Sequence, residues 1–406
     1  MARNLLYIHQ YFNTLEMSGG TRSYEMARRL VDDGYSVTML TADRTKGFGM
    51  PKRETIEGFD VIWVPGAYHN SYGPFRKAMA FLLFSLVTCF YVLWLKFDVI
   101  FATSTPLTTG IPALVAKKIR SKPYVFEVRD LWPEMPIALG TIRNPRLIRV
   151  LKWLEAKIYV NAHALVGLSP GMSEGIADVL AEKGVTRPIY TAPNACDFDN
   201  LCSPLNEDYA ARRADMRAKL NLTNGQTMLL YAGTFGLLND VEYLLTLAKR
   251  TKDNADLFYV IVGGGINDQK IRDFVAAEKL QNVKIQGRVP KREIVDYFAA
   301  CDAGLSLFID LPEMEKNSAN KFFDTLAAGK PVLINYGGWQ ADFVNAKGVG
   351  QQLSRDIEEA AGQMDVMGTT LAGITAQMVL DAAQDFSRQS VYEKVRDAIQ
   401  SMDEKR

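Results

Sequence analysis

The hydrophobic positions of the chain form short, wholly apolar runs that alternate with longer stretches of helical spacing. Such runs are typical of strands that are covered on both faces in a parallel sheet. In the first half we predict strands at 5–8, 35–41, 61–64, 99–102, 123–128, 164–168 and 189–192. In the second half we predict strands at 228–232, 258–262, 283–286, 302–308 and 332–334. This alternation predicts an α/β protein with two doubly wound, Rossmann-like parallel-sheet domains facing a cleft.

The segment Pro193-Asn-Ala-Cys-Asp-Phe-Asp199 interrupts the alternation and predicts a domain boundary. We therefore predict an N-terminal domain over residues 1–195 and a C-terminal domain over residues 196–384.

Residues 318–335 are predicted to form a helix, a two-residue stop and a buried strand. Ser318 is a good N-cap, and the ten residues after it are mostly helix formers. Gly329 suits the left-handed position beyond a helix end, and Pro331 cannot continue the helix. The apolar run at 332–334 follows at once.

The start of this helix is a candidate anion site, because free N–H groups and the positive end of the helix dipole favour negative charge. Lys321 lies in the first turn, and Asp324 follows three residues later on the same face. Together they could hold a nucleoside diphosphate, with the phosphates at the helix start and two ribose hydroxyls on the carboxylate. A solvated Lys–Asp pair on an ordinary capped helix is the alternative.

The string N-K-F-F-D-T-L-A-A-G-K-P-V, from Asn320 onward, resembles the nucleotide-sugar segment of retaining GT-B-fold glycosyltransferases of family 4. That segment usually reads S-K-x-x-E-x-x-A-x-G-x-P-V. Asn320 stands at the Ser position, Lys321 at the Lys position and Asp324 at the position of the ribose-binding Glu. Lys316 replaces an earlier Glu of the family. The resemblance implies nucleotide-sugar binding by Lys316, Ser318, Asn320, Lys321 and Asp324.

The first strand is followed by Met17-Ser-Gly-Gly-Thr-Arg22 and a predicted helix start, a corner that suits an anion. Gly19 and Gly20 are adjacent with no third glycine, so this is not the dinucleotide fingerprint, which argues against a dehydrogenase. The corner resembles the first glycine loop of GT-B enzymes, which faces the donor phosphates and the acceptor. Ordinary turn glycines are the alternative.

Two loops of the second half also resemble donor-binding loops of the family. Family members often place G-R and a lysine, six residues after the Gly, on the pyrophosphate. This chain instead has Gly233-Thr234 and Asn239. Fixed positive charge lowers the barrier for loss of a diphosphate, and the candidates to supply it are Lys321, Arg288, Lys316 and Arg129. Gly287-Arg-Val-Pro290 resembles the loop whose main chain meets the nucleobase, which implicates Arg288 and Val289. Gly263 to Gly265 are interpreted mainly as turn glycines.

The predicted strand at 123–128 ends in Glu127-Val-Arg-Asp-Leu-Trp-Pro-Glu134. Charged residues at the carboxyl end of such a strand lie at the ligand crevice, unless they merely mark a polar sheet edge. The string R-D-L-W-P-E closely resembles the WbuB-like branch of family 4, the N-acetyl-fucosaminyl transferases of surface polysaccharide assembly, such as O-antigen or capsule. Many family members have His-Asp here, and Arg129 and Asp130 take those places. We expect both to orient the acceptor and sugar and, with Lys321, to be catalytic.

Residues 78–95 form the most apolar run, flanked by Arg76, Lys77 and Lys96. Its 18 residues just reach the length of a transmembrane helix. Spanning would put the halves of one sheet on opposite sides of a bilayer, so we predict a buried layer helix or a helix partly exposed on a membrane-facing surface. The resemblance favours the second, because many enzymes of this class use lipid-linked acceptors. We expect peripheral binding through 76–96 at the cytoplasmic face of the inner membrane.

Composition restricts the classes of ligand and the compartment that we expect for this chain. The 406 residues suffice for two cores, and 47 basic against 46 acidic residues give no case for nucleic acid. The cysteines follow no metal or disulfide spacing and suggest a reducing cytosol: Cys89, Cys196, Cys202 and Cys301. No N-terminal signal is expected, because a strand pattern begins at once. The D-x-D at 197–199 lies in a linker and the histidines are scattered, so we predict no metal: His9, His69 and His163.

These expectations combine into a retaining glycosyltransferase that moves a sugar, expected to be N-acetylated, from a UDP-sugar to a lipid-linked acceptor such as a polyprenyl diphosphate sugar. No cofactor and no protein nucleophile are implied, because the leaving phosphate can take the acceptor proton. The resemblance also implies that the C-terminal helix, 385–406, returns to the N-terminal domain. A nucleotide-sugar epimerase or hydrolase on the same scaffold and a non-catalytic donor-binding partner subunit remain the alternatives.

Overall fold

In a computed structural model the chain forms two α/β units, described over residues 3–17, 19–47, 49–68, 72–130, 132–201, 203–223 and 225–402. One unit comprises Met1–Pro193 with Val391–Arg406, and the other comprises Asn194–Ser390. Each unit contains one predominantly parallel sheet, so the prediction of two α/β parallel-sheet domains is confirmed. His69 and Cys202 lie outside the described residues.

The sheet of the N-terminal unit has the order β3-β4-β2-β1-β5-β6-β7-β8. Its strands are β1 Asn4–Ile8, β2 Ser36–Asp43, β3 Lys52–Ile56, β4 Phe59–Pro65, β5 Val99–Thr103, β6 Tyr124–Val128, β7 Ala164–Gly167 and β8 Ile189–Thr191. All neighbours are parallel except β3, which is antiparallel to β4. Strand β3 was not predicted, because this edge strand is polar and largely exposed and so carries no hydrophobic signal.

Helices cover this sheet, and one layer of them shares a continuous apolar core with it. The helices are α1 Arg22–Asp32, α2 Pro74–Trp94, α3 Gly110–Arg120, α4 Glu134–Ala138, α5 Pro145–Asn161 and α6 Pro170–Ala181, with a 3-10 turn at Leu107–Thr109. The shared core takes Phe84 from α2, Ala116 from α3, Ile158 from α5 and Ile176 from α6. These four helices therefore cover the same face of the sheet.

The sheet of the C-terminal unit is wholly parallel, in the order β11-β10-β9-β12-β13-β14. Its strands are β9 Thr227–Thr234, β10 Leu257–Gly264, β11 Val283–Gln286, β12 Ala303–Ser306, β13 Val332–Ile334 and β14 Gly350–Gln352. The short, half-buried β14 was not predicted, because its residues Gly-Gln-Gln are not apolar.

Ten helices between Tyr209 and Ala382 surround the second sheet, and an eleventh follows them. They are α7 Tyr209–Lys219, α8 Val241–Arg250, α9 Asp268–Ala277, α10 Lys291–Ala300, α11 Pro312–Glu315, α12 Asn320–Ala327, α13 Trp339–Lys347, α14 Ile357–Asp365, α15 Met367–Ala372, α16 Ala376–Ala382 and α17 Arg388–Gln400. In α17, the Tyr392 hydroxyl donates to the Asp33 carboxylate at 2.6 Å and lies 3.1 Å from the Arg29 carbonyl oxygen, both near the end of α1. The end of the chain thus packs on the N-terminal unit.

A close approach between β9 and β10 requires glycine. Gly263 pairs with Gly233 across these strands and has φ of +151°. A β-carbon on Gly263 would lie 1.8 Å from the Gly233 carbonyl oxygen, far inside van der Waals contact. Gly263 therefore lets two strand ends meet, beyond the turn role expected from the sequence.

We predict that Gly263→Ala lowers the free energy of unfolding, because the two strands must separate to accept the methyl group. Gly362→Ala is the matched control, since Gly362 lies in α14 with nothing within 4 Å of an added β-carbon. In the control we expect the free energy of unfolding to rise by about 0.5–1 kcal/mol, because alanine has a higher helix propensity than glycine. Urea denaturation of both variants measures the difference, and equal stability of Gly263→Ala and wild type would contradict the prediction.

Candidate functional site

Both sheets have a point where the strand order reverses direction, at β1 in the first and at β9 in the second. Ligands of open α/β sheets bind outside the carboxyl ends of the strands at such points. The predicted site residues of the N-terminal unit lie after β1 and β6, and those of the C-terminal unit lie after β9 and β11, around the short helix α11 and at the start of α12. Each unit therefore gathers its own share of the candidate residues at one edge of its sheet.

Helix α12 begins one residue later than predicted. Its N-cap is Ala319, and no side chain caps it, so Ser318 as N-cap is wrong. The Ser318 hydroxyl instead accepts from the Asn194 amide nitrogen at 3.0 Å, and the Ser318 carbonyl accepts from Asn194 Nδ2 at 2.7 Å. Asn194, from the predicted boundary, thus donates hydrogen bonds to the hydroxyl and the carbonyl of the residue that precedes the N-cap of α12.

The other end of α12 follows the prediction. Gly329 is left-handed, with φ of +64°. Its N–H donates to the Leu326 carbonyl and the Lys330 N–H donates to the Thr325 carbonyl, the paired bonds of a Schellman motif. Strand β13 begins at Val332, as predicted.

Lys321 is buried, with 9% of its surface exposed. Its ammonium donates to Asn239 Oδ1 at 2.8 Å, the Leu307 carbonyl at 3.1 Å and the Tyr231 hydroxyl at 3.4 Å. It also lies 4.7 Å from the ring centroid of Tyr231 and 4.5 Å from that of Phe308. Burial lowers the pKa of Lys321 to about 7. Among the described residues no carboxylate pairs with this ammonium, so it is held by neutral groups alone.

Asn239 occupies the position where the family often has a lysine, and here it accepts a hydrogen bond from Lys321. The cation expected at that position is absent, but its neighbourhood contains the ammonium of Lys321 instead. The sequence could not show this, because the two residues are 82 positions apart.

Asp324 is half-buried one turn after Lys321. Burial, followed by the charges of Asp324 and Asp197, raises the pKa of Cys196, so the carboxylate of Asp324 lies near the first residues of the unit. Asn320 and Lys316 are exposed beside it, Lys316 directly after α11. Lys316 therefore lies on the segment that leads into α12, Asn320 is the first residue of that helix, and Asp324 lies one turn further on.

The loops after β9 and β11 meet across β10. Arg288 is exposed and packs over Gly264, where its guanidinium is 3.4 Å from the carbonyl oxygen. Thr234 is exposed, and its carbonyl accepts from the Tyr231 hydroxyl at 2.9 Å. Val289 is partly buried against the apolar core. Gly233, Thr234 and Arg288 therefore lie at neighbouring strand ends.

Asp240 and Arg355 form a part of this edge that the sequence analysis missed. Arg355 donates to Asp240 Oδ2 at 3.0 Å and to the Phe308 carbonyl at 2.8 Å. Asp240 begins α8, accepts from Asn335 at 3.1 Å, and burial raises its pKa. Arg355 and Asn335 also line a cavity of about 390 Å³ at the carboxyl ends of β13 and β14. No local motif marks them, because they come from three distant segments.

In the N-terminal unit, Arg129 and Asp130 follow β6. Arg129 Nη1 is 3.4 Å from His9 Nε2, and its backbone nitrogen donates to Ser104 Oγ at 2.8 Å. Asp130 is exposed and accepts from Thr105 Oγ1 at 3.0 Å. Neither His9 nor Ser104 was singled out from the sequence, since nothing in the spacing connects them to Arg129.

Glu127 forms a buried ion pair with Arg22. Its carboxylate pairs with Arg22 at 2.9 Å and accepts from Thr103 Oγ1 at 2.7 Å, all buried. Arg22 also donates to the carbonyls of Ala192 and Pro193 at 2.8 and 2.5 Å. This pair ties the start of α1, directly after Gly19 and Gly20, to the ends of β6 and β8.

The D-x-D of the linker is also structural. Asp197 and Asp199 both contact Arg388, at 2.6 and 3.6 Å. Within the described ranges, no three His, Cys, Asp or Glu residues group as metal ligands.

Helix α2 has one buried stripe and one exposed apolar face. By length and composition alone, Phe75–Trp94 is the one helix among the described residues that could cross a membrane, and 28% of its apolar window is buried. Phe84, Thr88 and Val92 pack into the core. Leu86 and Trp94 are 69% and 74% exposed. The helix is therefore buried in the core on one face and exposed on the other.

Large apolar residues are also exposed on α3, which packs against α2, and on α5, which packs against α3. We call this the apolar surface; its large exposed residues are Met79, Leu82, Leu86, Phe90, Leu93, Trp94, Ile119, Leu147, Val150 and Trp153. The three helices carry nine basic residues: Arg76, Lys77, Lys117, Lys118, Arg120, Arg146, Arg149, Lys152 and Lys157. Their single acidic residue, Glu155, is buried.

Comparison with known families agrees with this architecture. Residues 19–191 match the family described as "Glycosyl transferase 4-like domain", and residues 212–355 match "Glycosyl transferases group 1". The chain therefore belongs to the glycosyltransferases of the GT-B type, with a family-4-like N-terminal domain. None of the curated protein sequences matches it significantly.

Solved structures share the fold at low identity. Sucrose-phosphate synthase (tll1590) from Thermosynechococcus elongatus has TM-score 0.77 and 14% identity, with 100% of both chains covered. A structure described as "Trehalose-6-phosphate from E. coli bound with UDP-2-fluoro glucose" has TM-score 0.73 and 12% identity, covering 98% of this chain and 99% of that one. Anabaena Alr3699/HepE in complex with UDP and glucose has TM-score 0.68 and 13% identity, covering 98% and 100%.

The buried ammonium generates a test that needs no ligand. The pKa of Lys321 is about 7 in the folded chain, against 10.5 when it is exposed. Between these values the unfolded chain binds more protons, so the free energy of unfolding should rise with pH by up to about 1.4 kcal/mol per unit. Other groups titrate as well, so the quantity to measure is the difference between wild type and Lys321→Met in urea denaturation from pH 7 to 9.5. Parallel stability curves would contradict the assignment.

Proposed function

We propose that this chain is a retaining glycosyltransferase that moves a sugar, of the N-acetylated kind, from a UDP-sugar to a hydroxyl of a lipid-linked acceptor in surface polysaccharide assembly, as in the WbuB-like branch. The observation that carries the proposal is the ammonium of Lys321, held by neutral groups at the switch point of the C-terminal sheet. Two similar structures, one in complex with UDP and one bound with UDP-2-fluoro glucose, support UDP as the nucleotide of the donor.

In this proposal the diphosphate lies at the open start of α12 and beside Gly233 and Thr234. Lys321 and the exposed Arg288 supply positive charge, which stabilises the diphosphate as the bond to the sugar breaks. Asp324 binds the ribose hydroxyls, and the main chain at Val289 meets the base. Exposed Lys316 and Asn320 lie at the same helix start.

The reaction needs no protein nucleophile. The bond between the anomeric carbon and the diphosphate oxygen breaks, and the acceptor oxygen bonds to that carbon on the same face. The acceptor proton passes to the leaving phosphate. We propose that Arg129 and Asp130 orient the acceptor. The cations assigned to the diphosphate are side chains, so the proposal includes no metal and no cofactor.

UDP binding should depend on pH through Lys321. The anion favours the protonated ammonium, whose pKa is about 7 in the free chain, so affinity should fall by up to tenfold per unit above about pH 7. UDP itself is fully ionised there, because its terminal phosphate has a pKa of about 6. Lys321→Met should bind UDP weakly and without this pH dependence. Calorimetry from pH 7 to 9 measures both.

An unchanged affinity in Lys321→Met would remove the phosphate role of Lys321. The same chain, given a panel of UDP-, GDP- and ADP-sugars, identifies the base and sugar. Release of free sugar or of an epimer in the absence of an acceptor would instead support hydrolysis or epimerisation.

We further propose that the apolar surface docks on an anionic membrane, as a peripheral attachment at the cytoplasmic face of the inner membrane. A helix that is apolar all round needs an apolar partner on its outer side. The basic residues of α2, α3 and α5 have no exposed acidic neighbour on these helices, which suits anionic lipid headgroups. Docking through residues 76–96 would bring the enzyme to an acceptor that is itself anchored in lipid.

The double variant Leu86→Glu with Phe90→Glu should lose flotation with vesicles containing anionic lipid, because two charges would enter the acyl region. Val366→Glu is the matched control, since Val366 is a similarly exposed apolar residue in the C-terminal unit. We expect Val366→Glu to float like wild type with anionic vesicles. We expect wild type and Val366→Glu to bind neutral vesicles less than anionic vesicles. Wild type that stays in the soluble fraction with anionic vesicles would contradict membrane docking.

A further inference from the structure

Three side chains of the N-terminal unit follow the carboxyl ends of neighbouring strands. His9 follows β1, Arg44 follows β2, and Arg129 follows β6. In the strand order β2-β1-β5-β6, these ends surround the switch point of the sheet. This is where a doubly wound sheet binds ligands.

His9 is the buried centre of this cluster, with 4% of its surface exposed. Arg129 Nη1 lies 3.4 Å from His9 Nε2. A guanidinium can only donate, so Nε2 accepts and the ring proton is on Nδ1. Burial, then the charges of Arg129 and Arg44, lowers the pKa of His9, which keeps the ring neutral. Nδ1 is buried and has no hydrogen-bond partner among the described residues.

Neither guanidinium of the cluster is matched by a carboxylate in the part of the chain that the structure describes. Arg44 donates to the neutral amide of Asn13 at 2.5 Å, and Arg129 faces the neutral ring of His9. The nearest acidic residues in sequence have other partners: Asp43 accepts from Thr45 Oγ1 at 2.6 Å and Asp130 accepts from Thr105 Oγ1 at 3.0 Å. Two half-buried cations therefore flank one buried ring without a counter-charge.

The glycine loop is attached to the same cluster. Asn13 accepts from Arg44 and donates to the Gly20 carbonyl at 3.3 Å. Gly19 has φ of +128°, and a β-carbon there would lie 2.8 Å from Asn13 Nδ2. Helix α1 starts directly after this loop, and no side chain caps it. The N–H groups of that helix start add to the positive field of the two guanidiniums.

We propose that Arg44, Arg129 and His9 form a binding site for a phosphate or diphosphate group of the acceptor. The inference rests on the proposed transfer, and it assigns the acceptor a charged handle separate from the hydroxyl that reacts. Planar guanidiniums match phosphate oxygens in paired hydrogen bonds, and His9 Nδ1 offers a further donor. A lipid diphosphate and a soluble sugar phosphate present the same group.

Inorganic pyrophosphate is the probe, titrated by calorimetry into the full chain at pH 7.5 with and without saturating UDP. We expect pyrophosphate to bind in the presence of UDP, and Arg44→Ala and Arg129→Ala each to weaken that binding by about tenfold or more. Arg44→Lys keeps the charge without the planar fork and should have an intermediate effect. Arg272→Ala is the matched control, because Arg272 is an exposed arginine on α9 that pairs with Asp268. Thermal melting by circular dichroism verifies that each variant is folded.

Equal pyrophosphate binding by wild type and both alanine variants would overturn the proposal, as would no binding by wild type once UDP is present. Arg44→Ala should bind UDP with the same affinity as wild type. If wild type does not bind UDP at all, the result counts against the proposed donor site and not against this cluster. Competition separates the sources: displacement of pyrophosphate by a short-chain prenyl diphosphate supports a lipid acceptor, and displacement by glucose 6-phosphate alone supports a soluble one.

Discussion

A buried ammonium without a counter-charge is the constraint around which the C-terminal unit is arranged. Lys321 extends from the first turn of α12 to the ends of β9 and β12, where a carbonyl, an amide, a hydroxyl and two aromatic faces surround it. These groups stabilise the cation only in part, because burial still lowers its pKa to about 7. An anion at the helix start would complete its neutralisation.

Buried and half-buried cations of this protein differ in whether a carboxylate balances their charge. Arg22 with Glu127, Arg217 with Asp302, and Arg388 with Asp197 are buried or largely buried guanidiniums whose charge a carboxylate balances. These pairs fasten segments together, since breaking one would strand a charge in the interior. Lys321, Arg44 and Arg129 have only neutral partners among the described residues. These three cations lie at the carboxyl edge of a sheet, which is where the fold places its ligands. Lys330 is also buried with neutral partners among the described residues, but it lies at the opposite edge, directly before β13.

The sequence predicted the elements whose signal is local. The strand at 332–334 and the left-handed Gly329 are confirmed. Both could be predicted because an apolar run and a helix stop depend on consecutive residues. Strands β3 and β14 were missed, since one is polar and exposed and the other is three residues long. Ser318 was wrong as N-cap because Asn194, far away in sequence, competes for its hydroxyl. The contact between Lys321 and Asn239 and the cluster of His9, Arg44 and Arg129 could not be predicted, because strand order alone brings these segments together.

The outer face of α2 has a consequence for how the protein behaves in plain buffer. In water, its uncovered leucine, phenylalanine and tryptophan side chains favour contact with the same face of another molecule. Particle sizes measured without detergent would then show self-association. A mild detergent that covers the helix should shift the population towards monomers.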